Sequence, residues 1–167
     1  DQRMGELIES KQFKKVFLVA FWSMYSEGEP TKRPNHFISD AERTAYDAAT
    51  SKQVMTQHLS ETIRRLNEND IEVVIVHTVP TLPKRIQDLP ENFTQPLVGV
   101  NQRNQFMTDF VSQKRTVLQL SSVDPTTVLC DSTHCKTRIR GNVLYSDNNH
   151  ISPAAAAELV KIIGPAL

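Results

Sequence analysis

Hydrophobic residues in the first half of the chain follow two kinds of pattern. A continuous apolar run at 16–22 and a mostly apolar stretch at 71–80, which ends in a proline, are typical of strands that are buried on both faces of a parallel sheet. Segments 4–13 and 40–68 instead carry apolar residues at intervals of three or four, which predicts helices, the longer one capped by Asp40. The order strand, helix, strand predicts one right-handed crossover unit.

The second half of the chain continues this alternation. Its pattern predicts a helix from Asn101, a strand at 116–120 and a hairpin with residues 141–142 in its turn. Ser152 and Pro153 are residue types that favour the N-cap and first turn of a helix, so a last helix is predicted to begin there. Buried strands that alternate with amphipathic helices are typical of a three-layer α/β/α sandwich with a mainly parallel sheet.

Length and charge limit the classes to which this protein can belong. We expect one domain over residues 1–167, because a chain of this length can bury roughly 70% of its unfolded surface. Nineteen basic and nineteen acidic residues cancel, so nothing indicates a nucleic-acid partner. No apolar run approaches the ~20 residues of a membrane span. We also expect no cofactor.

The two cysteines of the chain, Cys130 and Cys135, frame the stretch CDSTHC. They have no other thiol to pair with and lie in a predicted turn, which favours a local disulfide and an oxidising compartment. Two free buried thiols are one alternative, and a metal site completed by His134 or Asp131 is another. The metal site is disfavoured because C-x-x-x-x-C matches structural zinc motifs poorly and neighbouring ligands would be crowded.

Asp147 and His150 stand three residues apart in a polar turn directly before the last predicted helix. A turn of this length lets the aspartate accept the Nδ1 proton of the histidine, which leaves Nε2 free to act as a general base. In open α/β sheets, loops at the carboxyl ends of strands are where ligands bind. The pair is therefore the candidate catalytic site, and a purely structural loop is the alternative.

Three longer stretches carry a family resemblance. YSDNNHISPAAAAEL places Asp and His before a last helix, and VFLVAFWSMYSEG has a strand followed by W-x-x-Y-x-x-G. LCDSTHCKTRIRGNVLYSDNNH leads from a cysteine-framed turn through a hairpin to the D-x-x-H block. In these features the chain resembles SGNH/GDSL hydrolases, and most of all the SGNH domains fused to membrane acyltransferase-3 domains. The resemblance extends over residues 5–167 and implies a flavodoxin-like SGNH fold.

The resemblance also implies acyl-ester chemistry: transfer or hydrolysis of O-acyl (acetyl) groups on bacterial surface polysaccharide such as lipopolysaccharide. The expected partners are an acyl donor, the glycan and a membrane acyltransferase domain in the same polypeptide. That domain would tether the chain to the inner membrane, on the periplasmic or extracellular side. Asp147 and His150 would be catalytic. Trp22 and Tyr25 would line the substrate pocket, and Gly28 would offer a backbone N–H to an oxyanion hole.

The chain departs from the family at the nucleophile. The family carries its serine in a G-D-S motif after the first strand, and GDS does not occur in these residues. We therefore expect the N-terminal part of the SGNH domain to be missing here, and that segment or another copy of the chain to be a further partner. The asparagine expected after the second strand is also absent, since that strand ends in HTVP. A non-catalytic module that binds glycan or docks a partner is the alternative function.

Overall fold

The structure of the protein, a computed structural model, describes residues 5, 6, 8, 10, 12–29 and 36–164. Its elements in chain order are β1 (Lys15–Val19), α1 (Trp22–Glu27), α2 (Ala48–Asn67), β2 (Glu72–Val76), β3 (Thr94–Pro96), α3 (Leu97–Lys114), β4 (Leu120–Val123), α4 (Thr126–Leu129), β5 (His134–Lys136), β6 (Arg138–Ile139), β7 (Asn142–Val143) and α5 (Pro153–Ile163). A 3₁₀ turn occupies Ile86–Asp88. The helix predicted at 4–13 includes positions outside the described residues and stays a prediction.

The main sheet within the described ranges contains three strands in the order β1-β2-β4. Strands β1 and β2 are parallel, from Lys15 opposite Glu72 to Val19 opposite Val76. Two short antiparallel ribbons, β3 with β5 and β6 with β7, form separate pairings. A parallel sheet accompanied by helices confirms the predicted α/β class.

The chain divides into two compact units, each with its own apolar core. The first unit comprises Asp1–Val76 and Phe106–Ser122, and the second comprises His77–Gln105 and Val123–Leu167. The core of the first unit includes the almost fully buried Ile63, Ile71 and Ile75. The core of the second unit includes Leu129, Leu144 and Ala155, which are fully buried.

The apolar run predicted as one buried strand at 16–22 is divided between two elements. Strand β1 ends at Val19, whose residue surface is 68% exposed, and Trp22 begins α1. Strand β2, in contrast, is buried from Val73 to Val76. The prediction of burial on both faces is therefore right for β2 and wrong for β1. Continuous hydrophobicity alone does not separate the end of a strand from the first turn of a helix.

The long helix begins later than predicted and has a different cap. The N-cap of α2 is Asp47, whose side chain accepts the backbone N–H of Thr50 at 2.7 Å. Asp40, the predicted cap, instead accepts the N–H of Arg43 at 2.7 Å in a separate turn and binds its guanidinium. Both aspartates satisfy the residue preference of an N-cap, so residue type could not choose between them.

Two boundaries in the second half also differ from the predicted ones. Helix α3 begins at Leu97, before the predicted Asn101. The strand predicted at 116–120 begins only at Leu120, because Gln119 has a φ of 46° and ends the turn that follows α3. A left-handed residue of this kind commonly closes a helix and cannot continue a strand.

The predicted hairpin is present, with its turn one residue earlier. Strands β6 and β7 are antiparallel, with Ile139 opposite Asn142, so Asn142 belongs to the strand. The two turn residues are Arg140 and Gly141, with φ values of 50° and 79°. Positive φ at both central residues is the signature of a type I′ turn, whose twist matches that of the flanking strands.

Candidate active site

The backbone of the turn at 147–150 is held by the aspartate that begins it. Asp147 Oδ1 accepts the N–H of Asn149 at 2.8 Å and the N–H of His150 at 2.7 Å. Aspartate favours such turns because its short side chain reaches the N–H groups two and three residues ahead. One carboxylate oxygen therefore sets the backbone that carries the histidine.

The second carboxylate oxygen of Asp147 binds the histidine ring. His150 Nδ1 lies 2.6 Å from Asp147 Oδ2. An ionised carboxylate only accepts hydrogen bonds, so Nδ1 carries the proton and Nε2 has its lone pair exposed. The His150 side chain is 75% exposed, and no described residue forms a hydrogen bond with Nε2. The ring thus presents to solvent a nitrogen that can accept a proton.

The turn is anchored by backbone donors from the proline-containing segment that follows β2. Leu82 N–H donates to Asn148 C=O at 2.8 Å, and Ile86 N–H donates to Asp147 C=O at 3.3 Å. Both donor residues are buried in the core of the second unit. Sequence reasoning missed these two residues, because they hold the turn through their backbone N–H groups. Every residue except proline has such a group, so residue type gives no signal.

The start of α5 holds the other side of the turn. Ser152 Oγ accepts the N–H of Ala155 at 3.4 Å and donates to Val143 C=O at 2.6 Å. Ser152 N–H also donates to Leu144 C=O at 2.9 Å. The predicted N-cap at Ser152 and first-turn proline at Pro153 are confirmed. The cap thus joins the last helix to the hairpin strand that precedes the turn.

Opposing effects set the charge of Asp147. Burial acts to raise the pKa of its carboxyl group, but the N–H groups of His150 and Asn149 and the His150 ring outweigh it and lower the pKa to about 2. Asp147 is therefore ionised at every pH at which a histidine base operates. A permanent negative charge at Nδ1 stabilises the imidazolium that forms when Nε2 takes a proton.

A second D-x-x-H turn lies between the cysteines. Asp131 Oδ1 accepts the N–H groups of Thr133 and His134, each at 2.9 Å. These bonds hold the pKa of Asp131 at about 2. The His134 ring forms no hydrogen bond with the carboxylate, however; its Nδ1 lies 3.0 Å from Thr133 Oγ1 instead. Only the turn at 147–150 has a ring bonded directly to its aspartate.

The disulfide predicted between Cys130 and Cys135 is present, with their Cα atoms 3.8 Å apart. The two sulfur atoms are bonded to each other, so neither cysteine is a free thiol. Neither can therefore bind a metal together with His134 or Asp131. The bond links the end of α4 to β5 and closes the loop that carries the second D-x-x-H turn.

Trp22 occupies a fixed position in the first unit. Its indole Nε1 donates to Val76 C=O at 2.8 Å, at the end of β2. Trp22 lines a hollow of about 300 Å³ together with residues of α2 and the segment before it: Ile38, Ser39, Val54, Met55, His58, Leu59 and Thr62. Its predicted contribution to a substrate pocket stays a prediction, which substitution of the residues that line this hollow would test.

Tyr25 and Gly28 also belong to the first unit, whereas Asp147 and His150 belong to the second. The carbonyl oxygen of Tyr25 accepts a hydrogen bond from the buried Ser51 hydroxyl, and Tyr25 is absent from the lining of the hollow. Gly28, with a φ of 74°, ends α1, and its N–H donates to Met24 C=O at 3.1 Å. The predicted pocket and oxyanion roles of these residues stay predictions.

Comparisons with known proteins agree on the kind of domain. Residues 2–165 match the family described as "SGNH domain (fused to AT3 domains)". The fold is similar to that of a lipopolysaccharide acetyltransferase periplasmic domain from Salmonella ser. Paratyphi A, with a TM-score of 0.61 and 16% sequence identity. That match covers 99% of this chain and 60% of the Salmonella chain, so this chain spans less than two thirds of its length. Among curated proteins there is no match.

None of the helices in the described ranges is long and apolar enough to cross a membrane. The family match extends over nearly all of the sequence, including the D-x-x-H block and the segment from β1 to Gly28. The predicted resemblance is therefore confirmed. The chain belongs to the family of SGNH domains that are fused to AT3 domains.

Proposed function

We propose that this chain is the extracytoplasmic SGNH part of an acyltransferase that moves O-acyl groups, acetyl above all, on bacterial surface polysaccharide. Family membership supports the fusion to an AT3 domain, which would hold the chain at the periplasmic face of the inner membrane. The similarity to the periplasmic domain of a lipopolysaccharide acetyltransferase supports the glycan as substrate. No cofactor enters the proposal.

One observation carries the proposal: His150 Nδ1 lies 2.6 Å from Asp147 Oδ2, and Nε2 is open to solvent. An aspartate that fixes the tautomer of a histidine is two thirds of a serine-hydrolase triad. The proposed third member is a serine from polypeptide outside these 167 residues. Within the described chain, no serine hydroxyl is bonded to His150 Nε2.

The proposed reaction has two acyl-transfer steps. As the serine oxygen attacks the carbonyl carbon of the donor ester, His150 Nε2 accepts the serine proton, and it then gives that proton to the leaving group. The acyl-serine is attacked next by a sugar hydroxyl, whose proton passes through Nε2 back to the serine oxygen. Water in place of the sugar gives hydrolysis. Asp147 stays ionised throughout and stabilises the imidazolium.

The binding groups predicted from the family resemblance stay part of the proposal. Trp22 and Tyr25 would bind the acyl or sugar portion, and the apolar residues that line the Trp22 hollow, such as Ile38 and Leu59, suit an apolar group. Gly28 would stabilise the oxyanion through its backbone N–H. That N–H already donates to Met24 C=O, so the oxyanion role requires Gly28 to share or release this bond.

A non-catalytic glycan-binding or partner-docking module is the second candidate. It is favoured by the absence of a G-D-S motif from the sequence and of the asparagine after the second strand. The two candidates make opposite predictions for His150, because a docking surface does not depend on a proton-accepting nitrogen.

The test is acyl transfer by the parent polypeptide, in which the SGNH domain is fused to its AT3 domain. We expect His150→Ala to lower the rate by roughly 10²- to 10⁴-fold, the range of general acid–base catalysis. His134→Ala is the matched control, because His134 occupies the other D-x-x-H turn without an aspartate on its ring. It should leave the rate close to that of the wild type.

Glycan binding by the same variants separates the two candidates. The enzyme is supported if His150→Ala abolishes transfer while binding of the polysaccharide is retained. Unchanged transfer in His150→Ala would contradict the catalytic role, and an equal loss in His134→Ala would indicate a general effect on folding.

A further inference from the structure

The two D-x-x-H turns of this chain are nearly the same at the backbone. In each turn, Oδ1 of the aspartate accepts the N–H groups two and three residues ahead, at 2.9 Å in both bonds of Asp131 and at 2.8 and 2.7 Å in those of Asp147. Each histidine ring is exposed. Any difference between the two turns is therefore a candidate cause of the bond between a histidine ring and its aspartate.

The turns differ in what the histidine ring binds. His150 Nδ1 lies 2.6 Å from Oδ2 of its aspartate, whereas His134 Nδ1 lies 3.0 Å from the hydroxyl of Thr133. The same hydroxyl donates to Asp131 Oδ1 at 3.0 Å. A hydroxyl both donates and accepts, so Thr133 stands between the carboxylate and the ring and takes the place of a direct bond.

The residue before the histidine also differs between the two turns. Position 149 is asparagine, which has no hydroxyl on Cβ, and its side chain forms no hydrogen bond with a described residue. The His150 ring is left with Asp147 Oδ2 as its acceptor. A charged acceptor binds Nδ1–H more strongly than a neutral hydroxyl and stabilises the imidazolium more.

We propose that Asn149 is a positioning residue, because it leaves the His150 ring free to bind Asp147, and that a hydroxyl at this position would divert the ring. Its catalytic consequence rests on the proposed acyl transfer, but the geometric claim does not. The turns also differ in closure, since Asp131 N–H donates to His134 C=O, whereas Ser146 N–H donates to His150 C=O. This difference in backbone closure is therefore the alternative explanation for the different partners of the two histidine rings.

The first arm of the test changes position 149. In a crystal structure of Asn149→Thr, we expect His150 Nδ1 to bind the new hydroxyl and to leave Asp147. In the parent polypeptide, this variant should lower kcat for acyl transfer by about 10²-fold, the lower end of the range for general acid–base catalysis, with little change in KM. Asn149→Val is the matched control: it has the shape of threonine without the hydroxyl, and it should keep both the ring contact and kcat.

The second arm makes the reverse change in the other turn. In Thr133→Val and Thr133→Asn, the His134 ring should turn to Asp131 and bring Nδ1 within hydrogen-bond distance of its carboxylate. If both histidine rings keep their present partners, the proposal is wrong, and the difference between the turns is caused by their closure. If the rings switch but His150→Ala does not affect transfer, the proposed function fails and the positioning role of residue 149 stands.

Discussion

The two oxygens of Asp147 have separate partners. Oδ1 accepts the backbone N–H groups of Asn149 and His150, and Oδ2 accepts the His150 ring. An asparagine keeps an acceptor for the backbone but has no charge, and its amide can offer the ring a donor. Charge and turn geometry can therefore be separated experimentally at this one residue.

Stability should depend on pH through the carboxyl group of Asp147. Its pKa in the folded chain is about 2, below the 3.8 of an unperturbed aspartate, so the ionised form stabilises the fold above pH 3.8, and this contribution is lost as pH falls through 2. We expect Asp147→Asn to be less stable than wild type above pH 3.8 and to match it near pH 2. Urea unfolding at several pH values measures this difference.

Glu91→Gln is the control for that experiment, because Glu91 is exposed and its side chain forms no hydrogen bond with a described residue. It should follow wild type at every pH. A stability difference for Asp147→Asn that stays constant down to pH 2 would show that the charge of Asp147 does not support the turn.

The sequence could predict the pair but not the bond between its members. Asp147 and His150 were identified by their spacing and by the helix that follows. Asp131 and His134 have the same spacing, yet the ring of His134 binds Thr133. Spacing determines which backbone groups an aspartate reaches, whereas the ring partner depends on a side chain between the two residues.

At the scale of elements, the residues at the beginning of α5 determine where this helix starts. Ser152 caps the helix and binds the carbonyl group of Val143 in β7, while Pro153 occupies the first turn. The same hydroxyl therefore takes part both in the helix cap and in the link to the hairpin.

Removing that hydroxyl should loosen this end of the site. We expect Ser152→Ala to lower the free energy of unfolding by about 1–2 kcal/mol, the upper range for loss of an N-cap serine. Ser132→Ala is the matched control, because Ser132 is exposed and forms no hydrogen bond within the described chain. Chemical denaturation gives both values, and equal stability of the two variants would contradict the joining role.

The beginning of α5 was predictable because two neighbouring residues satisfy different preferences of a helix start. Ser152 followed by Pro153 satisfies both the cap and the first-turn preference, and that boundary was correct. Asp40 and Asp47 both suit a cap, and the structure uses the second. Tertiary contacts decide such cases: Asp40 binds Arg43 and His58 instead, which keeps it in a turn.

At the scale of the whole chain, the predicted site residues are distributed over both units. Asp147 and His150 lie in the second unit, whereas Trp22, Tyr25 and Gly28 lie in the first. The family and the α/β class could be predicted because segment order and the D-x-x-H block are sequence features. The division into units could not, because it depends on contacts between residues far apart in sequence.

The 167-residue chain alone should not turn over acyl esters. His150 Nε2 has no serine partner within the described residues, and a histidine activates a serine only at hydrogen-bond distance. Hydrolysis of p-nitrophenyl acetate by the purified chain should equal that of its His150→Ala variant. Mass spectrometry excludes a retained N-terminal peptide. Turnover that disappeared on replacing one serine of this chain would show that the nucleophile lies within it.

The turn between β6 and β7 makes position 141 selective for the handedness of its residue. A Cβ added to Gly141 would meet nothing within 4 Å, so space does not limit what can stand there. Its φ of +79°, however, is strained for L-residues and favourable for their mirror images. A D-alanine would therefore fit this turn and an L-alanine of the same size would strain it. Two residues with identical atoms are distinguished here by chirality alone.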